Sequence, residues 1–449
     1  MNRDTQAVPV NKFKIWVIKM QKAATSLGSS FWFLPTLFIF FAIVTAQIFL
    51  PSFSITYTDT FLIDHFMVNS PQTSMQVVQV IASSLITVTS IAFSMTLVAL
   101  VMASNSFGPR LIRSFMQSKQ TQCVLGFLCA SFVYCLLVLS QIQVDGQFPS
   151  HPILSVFIAL ILAVACVFVL IFFIHHVGVS IRADTVVEEI SKTLLNDMSN
   201  LQTSHNDRAP SEMGASKLAK YAYHSVIRTK CFGYIQAVEY KNLVNFAREF
   251  DGILVMKVRA GKYVYPDTQV AYIYSRQMLP NKLSIDTSLV TGSQRTSLQD
   301  PQFAINQLVE MALRALSPSM DDPFTAMICI DKLVAAMSTF SSTSLPKTCV
   351  LDGQKVVRVV TNEESFNDLF AGAFTQIRQS SISQTAVLCH LLDVFYTLLE
   401  SKNNEEHLID PIKTQVVAIK ECIERDSFMT NNFDKKAVVE RMEKIFNRL

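Results

Sequence analysis

Four long stretches of this sequence contain no charged residue, and this lack of charge is its most informative property. Asp, Glu, Lys and Arg make up 16% of the 449 residues, whereas soluble globular chains carry about 25%. The deficit lies before Val177, where four apolar segments contain no formal charge. Since a membrane-spanning helix needs about 20 mostly apolar residues, the pattern excludes an ordinary soluble protein. It predicts an α-helical integral membrane protein with spans at about 31–50, 75–105, 121–140 and 153–174.

Patterns for metals, disulfides and common catalytic sites are also missing. The nine cysteines form neither a CxxC pair nor a Cys/His cluster at metal-ligand spacing, so we expect free thiols. No GxGxxG, GxxxxGK[ST], HExxH or GxSxG motif occurs. We therefore predict no metal and no cofactor, and we find no positive indication of an enzyme. A net charge of +3 is too small to suggest nucleic acid as a partner.

Lysine and arginine alternate with the predicted spans. They occur before the first span, between the second and third, and after the fourth, whereas the other two loops carry only acidic charges, at Asp59, Asp64 and Asp145. Because cytoplasmic loops are enriched in Lys and Arg, we predict that both termini and the C-terminal part are cytoplasmic. The lipid bilayer is then the first partner of the chain.

Several residues are expected at the membrane interface. Residues 1–30 alternate apolar and basic side chains at helical spacing, which is typical of an amphipathic helix on the inner leaflet. The interface candidates are Trp16, Lys19, Arg110, Arg113, His175 and His176. A histidine pair is also able to sense pH or bind metal, but adjacent side chains on a helix point in different directions, which favours anchoring.

The second span carries a stripe of polar side chains. Gln76, Ser83, Thr87, Ser90 and Ser94 recur at helical spacing on one face. At 1.5 Å per residue the span is about 45 Å long, against a hydrocarbon core of about 30 Å. One interpretation is close helix–helix packing with hydrogen bonds across the interface. The other is the lining of a water-filled path, which several subunits would have to enclose.

These alternatives lead to two functional hypotheses. The first is a homo-oligomeric ion or small-solute channel, lined by the second span and gated by the cytoplasmic part. The second is a membrane-anchored scaffold or sensor, in which the cytoplasmic part binds an unknown ligand or protein and the spans are purely structural. Ion-coupled transport is disfavoured because no span contains Asp, Glu, Lys or Arg.

The part after the spans is predicted to be α+β. Residues 177–216 form a helix and a linker, residues 217–300 a small β-rich subdomain and residues 301–449 a helical subdomain. Alternating residues indicate strands at Tyr234–Val238 and Ile253–Val258, and a hairpin over Lys347–Val360. Asp322 and Pro323 are typical of a helix start.

The densest polar group in this part is a predicted cytoplasmic corner. It comprises Arg295, Gln299, Asp300, Arg314, Ser317, Asp321 and Asp322. Asp321 and Asp322 offer oxygen ligands for a divalent cation. The alternative, which we favour, is a helix–turn–helix corner in which Asp322 caps a helix and Arg314 binds free carbonyls or an Asp.

The segment RTSLQDPQFAINQLVEMALRALSPSMDDPFTA, from Arg295 to Ala326, resembles a family of uncharacterised bacterial membrane proteins, domain of unknown function 2254. The family pattern is RTxxQD followed by an ALSPGxNDPxTA-like turn. Ser319 and Asp321 stand where the family usually has Gly and Asn. FGPRLIRSF from Phe107 and GYIQAVE from Gly233 also match. The resemblance implies four spans, a cytoplasmic C-terminal part and a bacterial inner membrane, but no activity or catalytic residue.

Overall fold

A computed structural model describes residues 32–52, 71–108, 118–142, 153–203, 208–209, 221–280, 282–339, 349–401, 405–425 and 432–449. The chain divides into two compact units, Met1–Arg182 and Ala183–Leu449. The described N-terminal unit is helical, and the C-terminal unit combines helices with two sheets. The predicted amphipathic segment 1–30 lies outside the described residues.

The N-terminal unit contains the predicted apolar segments as helices. They are α1 (Phe33–Ser52), α2 (Pro71–Phe107), α3 (Lys119–Gln141) and α4 (Ile153–Ser180). Within the described residues, three helices are long and apolar enough to cross a membrane: Pro71–Asn105, Lys119–Gln141 and Leu154–Ser180. Phe33–Ile48 forms a shorter apolar helix by the same measure. With 37 residues, α2 is about 55 Å long.

Helix α3 packs most closely against α1, and a glycine permits the approach. A Cβ atom at Gly126 would lie 2.9 Å from the Cα atom of Pro35 and 3.0 Å from the ring of Phe38. Small residues allow the backbones of membrane helices to come close, where dispersion contacts hold them. Gly126 therefore determines how near α1 lies to α3.

Replacing Gly126 with leucine should separate α1 from α3. Overpacking of a close contact costs about 1–3 kcal/mol or more, so we expect less monodisperse full-length protein after detergent extraction and a lower aggregation temperature. Gly178→Leu on α4 is the control, because a Cβ at Gly178 meets nothing within 4 Å. Equal losses in the two variants would show that the α1–α3 approach is not what Gly126 provides.

Two sheets form the β part of the C-terminal unit. The strands are β1 (Arg208–Ala209), β2 (Tyr223–Arg228), β3 (Gly233–Val238), β4 (Gly252–Met256), β5 (Tyr263–Val264), β6 (Gln269–Ser275), β7 (Leu289–Gly292), β8 (Cys349–Leu351) and β9 (Val357–Val360). One sheet has the order β1-β8-β9-β4-β6-β2 and the other β5-β3-β7. The pairs are antiparallel except β4 with β9, where Leu254 lies opposite Val359.

The helices of this unit pack mainly on one another, and the helix between β3 and β4 packs on the strands. The helices are α5 (Ala183–Thr203), α6 (Tyr240–Glu249), α7 (Pro301–Ala315), α8 (Pro323–Met337), α9 (Phe366–Ser380), α10 (Thr385–Ser401), α11 (Glu406–Arg425) and α12 (Asn432–Phe446). Phe370, Phe374 and Phe395 are fully buried and pack ring to ring between α9 and α10. Ser365 and Asp368 close a capping box at the start of α9.

The β8–β9 hairpin and helix α5 join segments that the sequence predicts as separate parts. The predicted hairpin over Lys347–Val360 is present as β8 and β9, and β9 pairs with β4. The predicted β-rich part (217–300) and helical part (301–449) therefore fall in one compact unit. Helix α5, predicted as part of a connecting segment, packs on α7 and α8. It buries Val187, Ile190 and Leu194 there.

Candidate functional site

The polar stripe of α2 lies on the outside of the N-terminal unit. Gln76, Ser83, Thr87, Ser90 and Ser94 are all exposed. The opposite face of α2 packs against α3 and α4. That buried face consists of Ser74, Val78, Ala82, Leu85, Thr89, Ala92, Thr96, Ala99 and Ala103. Among the described residues the stripe therefore makes no helix–helix contact, and with respect to them it is available to lipid, to water or to a second copy.

Hydroxyl groups in the stripe are already hydrogen-bonded within α2. Ser83 donates to the carbonyl of Val80 at 3.0 Å, Thr87 to that of Ser83 at 3.1 Å, and Ser90 to that of Ile86 at 2.9 Å. Each oxygen keeps acceptor capacity for a further donor. After Ser94 the exposed residues Leu97, Val98 and Val101 are apolar, and the next exposed polar residue is Asn105.

The predicted interface residues are only partly covered by the structure. Trp16, Lys19, Arg110 and Arg113 lie outside the described residues. His175 is exposed near the end of α4, and His176 is half-buried. The Nε2 atom of His176 lies 3.5 Å from the Oγ atom of Ser118, and its ring stacks on Phe172. The two adjacent histidines thus have different surroundings.

The structure separates the predicted polar corner into two groups. Arg295, Gln299 and Asp300 precede α7, whereas Arg314, Ser317, Asp321 and Asp322 lie at its end or follow it. Fifteen helical residues span about 22 Å, so a single site cannot include both groups. The seven residues are close in sequence but belong to opposite ends of one helix.

The group before α7 is built around a buried ion pair. Arg295 binds Asp300 through its Nε atom at 2.9 Å and its Nη2 atom at 2.8 Å, and Asp300 is only 3% exposed. Gln299 has φ +61°, and its side-chain amide exchanges two hydrogen bonds with the backbone of Val238 at the end of β3. The pair is thereby fixed to the smaller sheet.

Three further charged residues complete this charge cluster, which we define as Asp197, Arg259, Arg295, Asp300 and Glu364. Arg259 binds Glu364, the residue before the cap of α9. Asp197 comes from α5, and its Oδ2 atom is buried without a hydrogen-bond partner among the described residues. The cluster thus contains three carboxylates and two guanidinium groups, and it joins α5, the start of α7, the residue before the cap of α9 and the turn after β4.

Burial and mutual repulsion raise the pKa values of these carboxyl groups. Burial raises the pKa of Asp300 although Arg295 acts against it. Burial also raises the pKa of Glu364, and the charge of Asp300 adds to the effect. Burial and then the charge of Asp300 raise the pKa of Asp197 to about 6. The cluster is therefore able to hold a proton at mildly acidic pH.

The group after α7 is a helix–helix corner. Asp322 caps α8, since its Oδ1 atom accepts from the backbone of Thr325 at 3.1 Å and its Oδ2 atom from the hydroxyl of Thr325 at 2.5 Å. The predicted capping role is confirmed. Asp321 has φ +45°, a conformation that Asp and Asn adopt more readily than most residues. Arg314 pairs with Glu310 one turn earlier.

This corner offers little to a cation. Both carboxylate oxygens of Asp322 are committed to Thr325, and Gln384 lies 3.5 Å from Asp321. In the described part of the chain, no group of three or more His, Cys, Asp or Glu residues is arranged to hold a metal ion. Capping accounts for Asp322, and Asp321 occupies a left-handed turn position beside it.

Sequence reasoning missed three members of the charge cluster. Asp197, Arg259 and Glu364 are far apart in the chain and belong to no motif, and each has an ordinary local role on a helix or in a turn. One signal was available, because Arg295, Gln299 and Asp300 all belong to the matched RTxxQD pattern. Polar residues of such a pattern directly before a helix indicate that their side chains bind groups from distant parts of the chain.

The long apolar helices and the α+β unit that follows them define a membrane protein with an α+β C-terminal part. The chain belongs to the DUF2254 family of predicted membrane proteins, which it matches over residues 28–397. It is 27% identical over 385 residues to uncharacterised proteins of Mycobacterium tuberculosis (strain CDC 1551 / Oshkosh) and Mycobacterium bovis (strain ATCC BAA-935 / AF2122/97). Each alignment covers 81% of this chain and 71% of the relative. No solved structure matches the chain.

Proposed function

We propose that the protein is a homo-oligomeric conduit for ions or small solutes in the bacterial cytoplasmic membrane. Helices α1 to α4 cross the membrane four times, with both termini and the C-terminal unit in the cytoplasm. The stripe of α2 lines the path. The observation that carries the proposal is the position of this stripe, which is polar, free of charge and directed away from its own helix bundle.

An outward polar stripe is compatible with assembly after membrane insertion. Because Ser83, Thr87 and Ser90 donate to carbonyls of their own helix, a single chain exposes few unsatisfied donors to lipid. In a ring of copies the same oxygens would face water and accept hydrogen bonds from it. One stripe cannot enclose a path, so the proposal requires several subunits.

The composition of the lining restricts what would pass. A lining of hydroxyl and amide groups without fixed charge discriminates by size and hydration more than by the sign of charge. The described parts of α1 to α4 carry no Asp or Glu, and their two histidines, His175 and His176, lie near the end of α4 and not at the stripe, so the stripe has no group of the kind that normally couples transport to protons or sodium. We therefore propose passive flow of small polar species.

The first test of the proposal is the number of subunits in native-like lipid. A closed ring with α2 innermost is expected by native mass measurement or single-particle imaging. A monomer has four helices and one stripe, so it cannot surround a water path. That result would remove the conduit proposal.

Leucine at two stripe positions should then block flow. Ser90→Leu with Ser94→Leu places large apolar side chains in the path, so ion or solute flux in reconstituted vesicles should fall at least about tenfold. Phe93→Leu is the control, because Phe93 is exposed on the flank of the same helix. An unchanged flux in the double variant, at unchanged subunit number, would exclude this lining.

A membrane-anchored scaffold or sensor is the second candidate. The observation that favours it is the C-terminal unit, which has its own core and its own sheets. In this case the N-terminal unit only attaches that unit to the bilayer, and the unit binds an unknown cytoplasmic ligand or protein. A monomeric full-length chain would make this candidate the leading one.

A further inference from the structure

Helix α5 is held on the C-terminal unit by apolar contacts and by very few charged ones. Val187, Ile190 and Leu194 are buried where α5 packs on α7 and α8. At the N-terminal end, Glu188 binds Lys332 of α8 at 2.6 Å and lies 3.5 Å from Lys192 of its own helix. Toward the C-terminal end of α5, the charged residue at the packed face is Asp197.

Both arginines of the charge cluster are already engaged by carboxylates other than Asp197. Arg295 forms a bidentate pair with Asp300, and Arg259 pairs with Glu364. The Oδ2 atom of Asp197 is buried and has no hydrogen-bond partner among the described residues. An ionised Asp197 is therefore a half-buried charge that interacts with a second negative charge, at Asp300. No ion pair joins it to another described residue, so within the described part of the chain burial and repulsion act on it without compensation.

We infer that Asp197 is a proton-binding site, and that binding of a proton there holds α5 against α7 and α8. A neutral Asp197 removes the repulsion from Asp300 and the cost of burying a charge. An ionised Asp197 regains hydration when α5 moves away from the cluster. The ligand of the site is thus a proton, and binding of the proton strengthens the packing of α5 on α7 and α8.

The expected pH range follows from the direction of the pKa shift. The pKa of Asp197 rises from its ordinary value of 3.8 to about 6 when α5 is docked, so the docked state binds the proton more tightly. Docking is therefore strongest at acidic pH and weakens as the pH rises through about 6. The pKa values of Asp300 and Glu364 are also raised, but both residues are paired with arginine and neither is on α5. Movement of α5 therefore does not change their charge in the same way.

The position of α5 in the chain gives the site a role beyond local stability. Helix α4 ends at Ser180 and α5 begins at Ala183, so the two helices are consecutive along the chain. A helix whose docking depends on pH, directly after an apolar helix long enough to cross a membrane, is suited to report the pH around the C-terminal unit. This inference does not depend on the conduit proposal.

Hydrogen exchange of the full-length protein in lipid nanodiscs tests the site. Peptides from 183–203 are compared at about pH 5 and about pH 8, after correction for the intrinsic exchange rate. Wild-type α5 should be protected about tenfold more at the lower pH. The reason is that pH 5 lies about one unit below the pKa of docked Asp197, and one unit corresponds to a factor of ten in the docking equilibrium. Asp197→Asn keeps the size of the side chain but carries no charge, so it should be well protected at both values.

Glu188→Gln is the matched control on the same helix. It weakens the contact with Lys332, so it should lower the protection of α5 by a similar factor at both pH values and leave the pH dependence in place. A wild-type α5 with equal protection at the two pH values would overturn the inference. So would an Asp197→Asn variant that retains the pH dependence, because the proton would then bind elsewhere in the charge cluster.

Discussion

Replacing Gly261 with alanine is expected to lower the free energy of unfolding of the C-terminal unit by about 3–5 kcal/mol, the usual cost of breaking a buried ion pair. Gly261 has φ +83°, which a residue with a side chain rarely adopts. A Cβ atom there would lie 2.2 Å from the Oδ2 atom of Asp300 and 2.9 Å from the Nη2 atom of Arg295. Alanine therefore meets the ion pair itself.

The pair has little freedom to move away from an added methyl group. Asp300 is buried and directly precedes Pro301, the first residue of α7. Gln299 is bonded to the backbone of Val238, and the amide of Gly261 donates to the carbonyl of Ile235 at 2.8 Å. The turn and the carboxylate are thus both attached to β3, so relief of the clash requires breaking one of these attachments.

Urea-dependent proteolysis of the full-length protein measures this loss of stability. Gly353→Ala is the matched control, since Gly353 belongs to the same unit and a Cβ there meets nothing within 4 Å. We expect Gly353→Ala to change stability by less than about 1 kcal/mol. If Gly261→Ala were as stable as this control, the charge cluster would contribute little to the fold.

Local signals explain which parts of the fold could be predicted from the sequence. Apolar runs predicted α2, α3 and α4, and the Asp322–Pro323 pair marked the start of α8. Each of these depends on residues within one or two turns, which a single sequence displays. The parallel pairing of β4 with β9 depends on Leu254 and Val359 meeting across a hundred residues, and no local pattern encodes it.

The same distinction applies to the candidate sites. Helical periodicity was sufficient to place the α2 stripe on one face, but not to decide whether that face was buried, because hydroxyl residues occur on both sides of α2. Thr89 and Thr96 are buried while Thr87 and Ser94 are exposed. The charge cluster required tertiary contacts, and closeness in sequence misleadingly grouped residues from the two ends of α7.

A single aspartate on each of two faces of α2 should distinguish a water-lined path from a lipid-facing stripe. A charge at the centre of a lipid-facing helix costs about 2.5–3.5 kcal/mol. Ser90 lies near the middle of α2 within the stripe, and Phe93 is exposed on its flank. If the stripe faces water, Ser90→Asp should yield nearly normal amounts of membrane protein, whereas Phe93→Asp should yield much less.

Ser90→Asp should also change the ion selectivity of the protein. A ring of carboxylates at position 90 attracts cations, so the permeability of potassium relative to chloride in reconstituted vesicles should rise by about tenfold. Ser90→Asn and Phe93→Asn are the neutral controls of similar size. Equal depletion of both aspartate variants would mean that the stripe contacts lipid, and the hydroxyl groups would then serve only their own helix. If Ser90→Asp were tolerated but ion preference did not change, the stripe would face water without lining the conducting path.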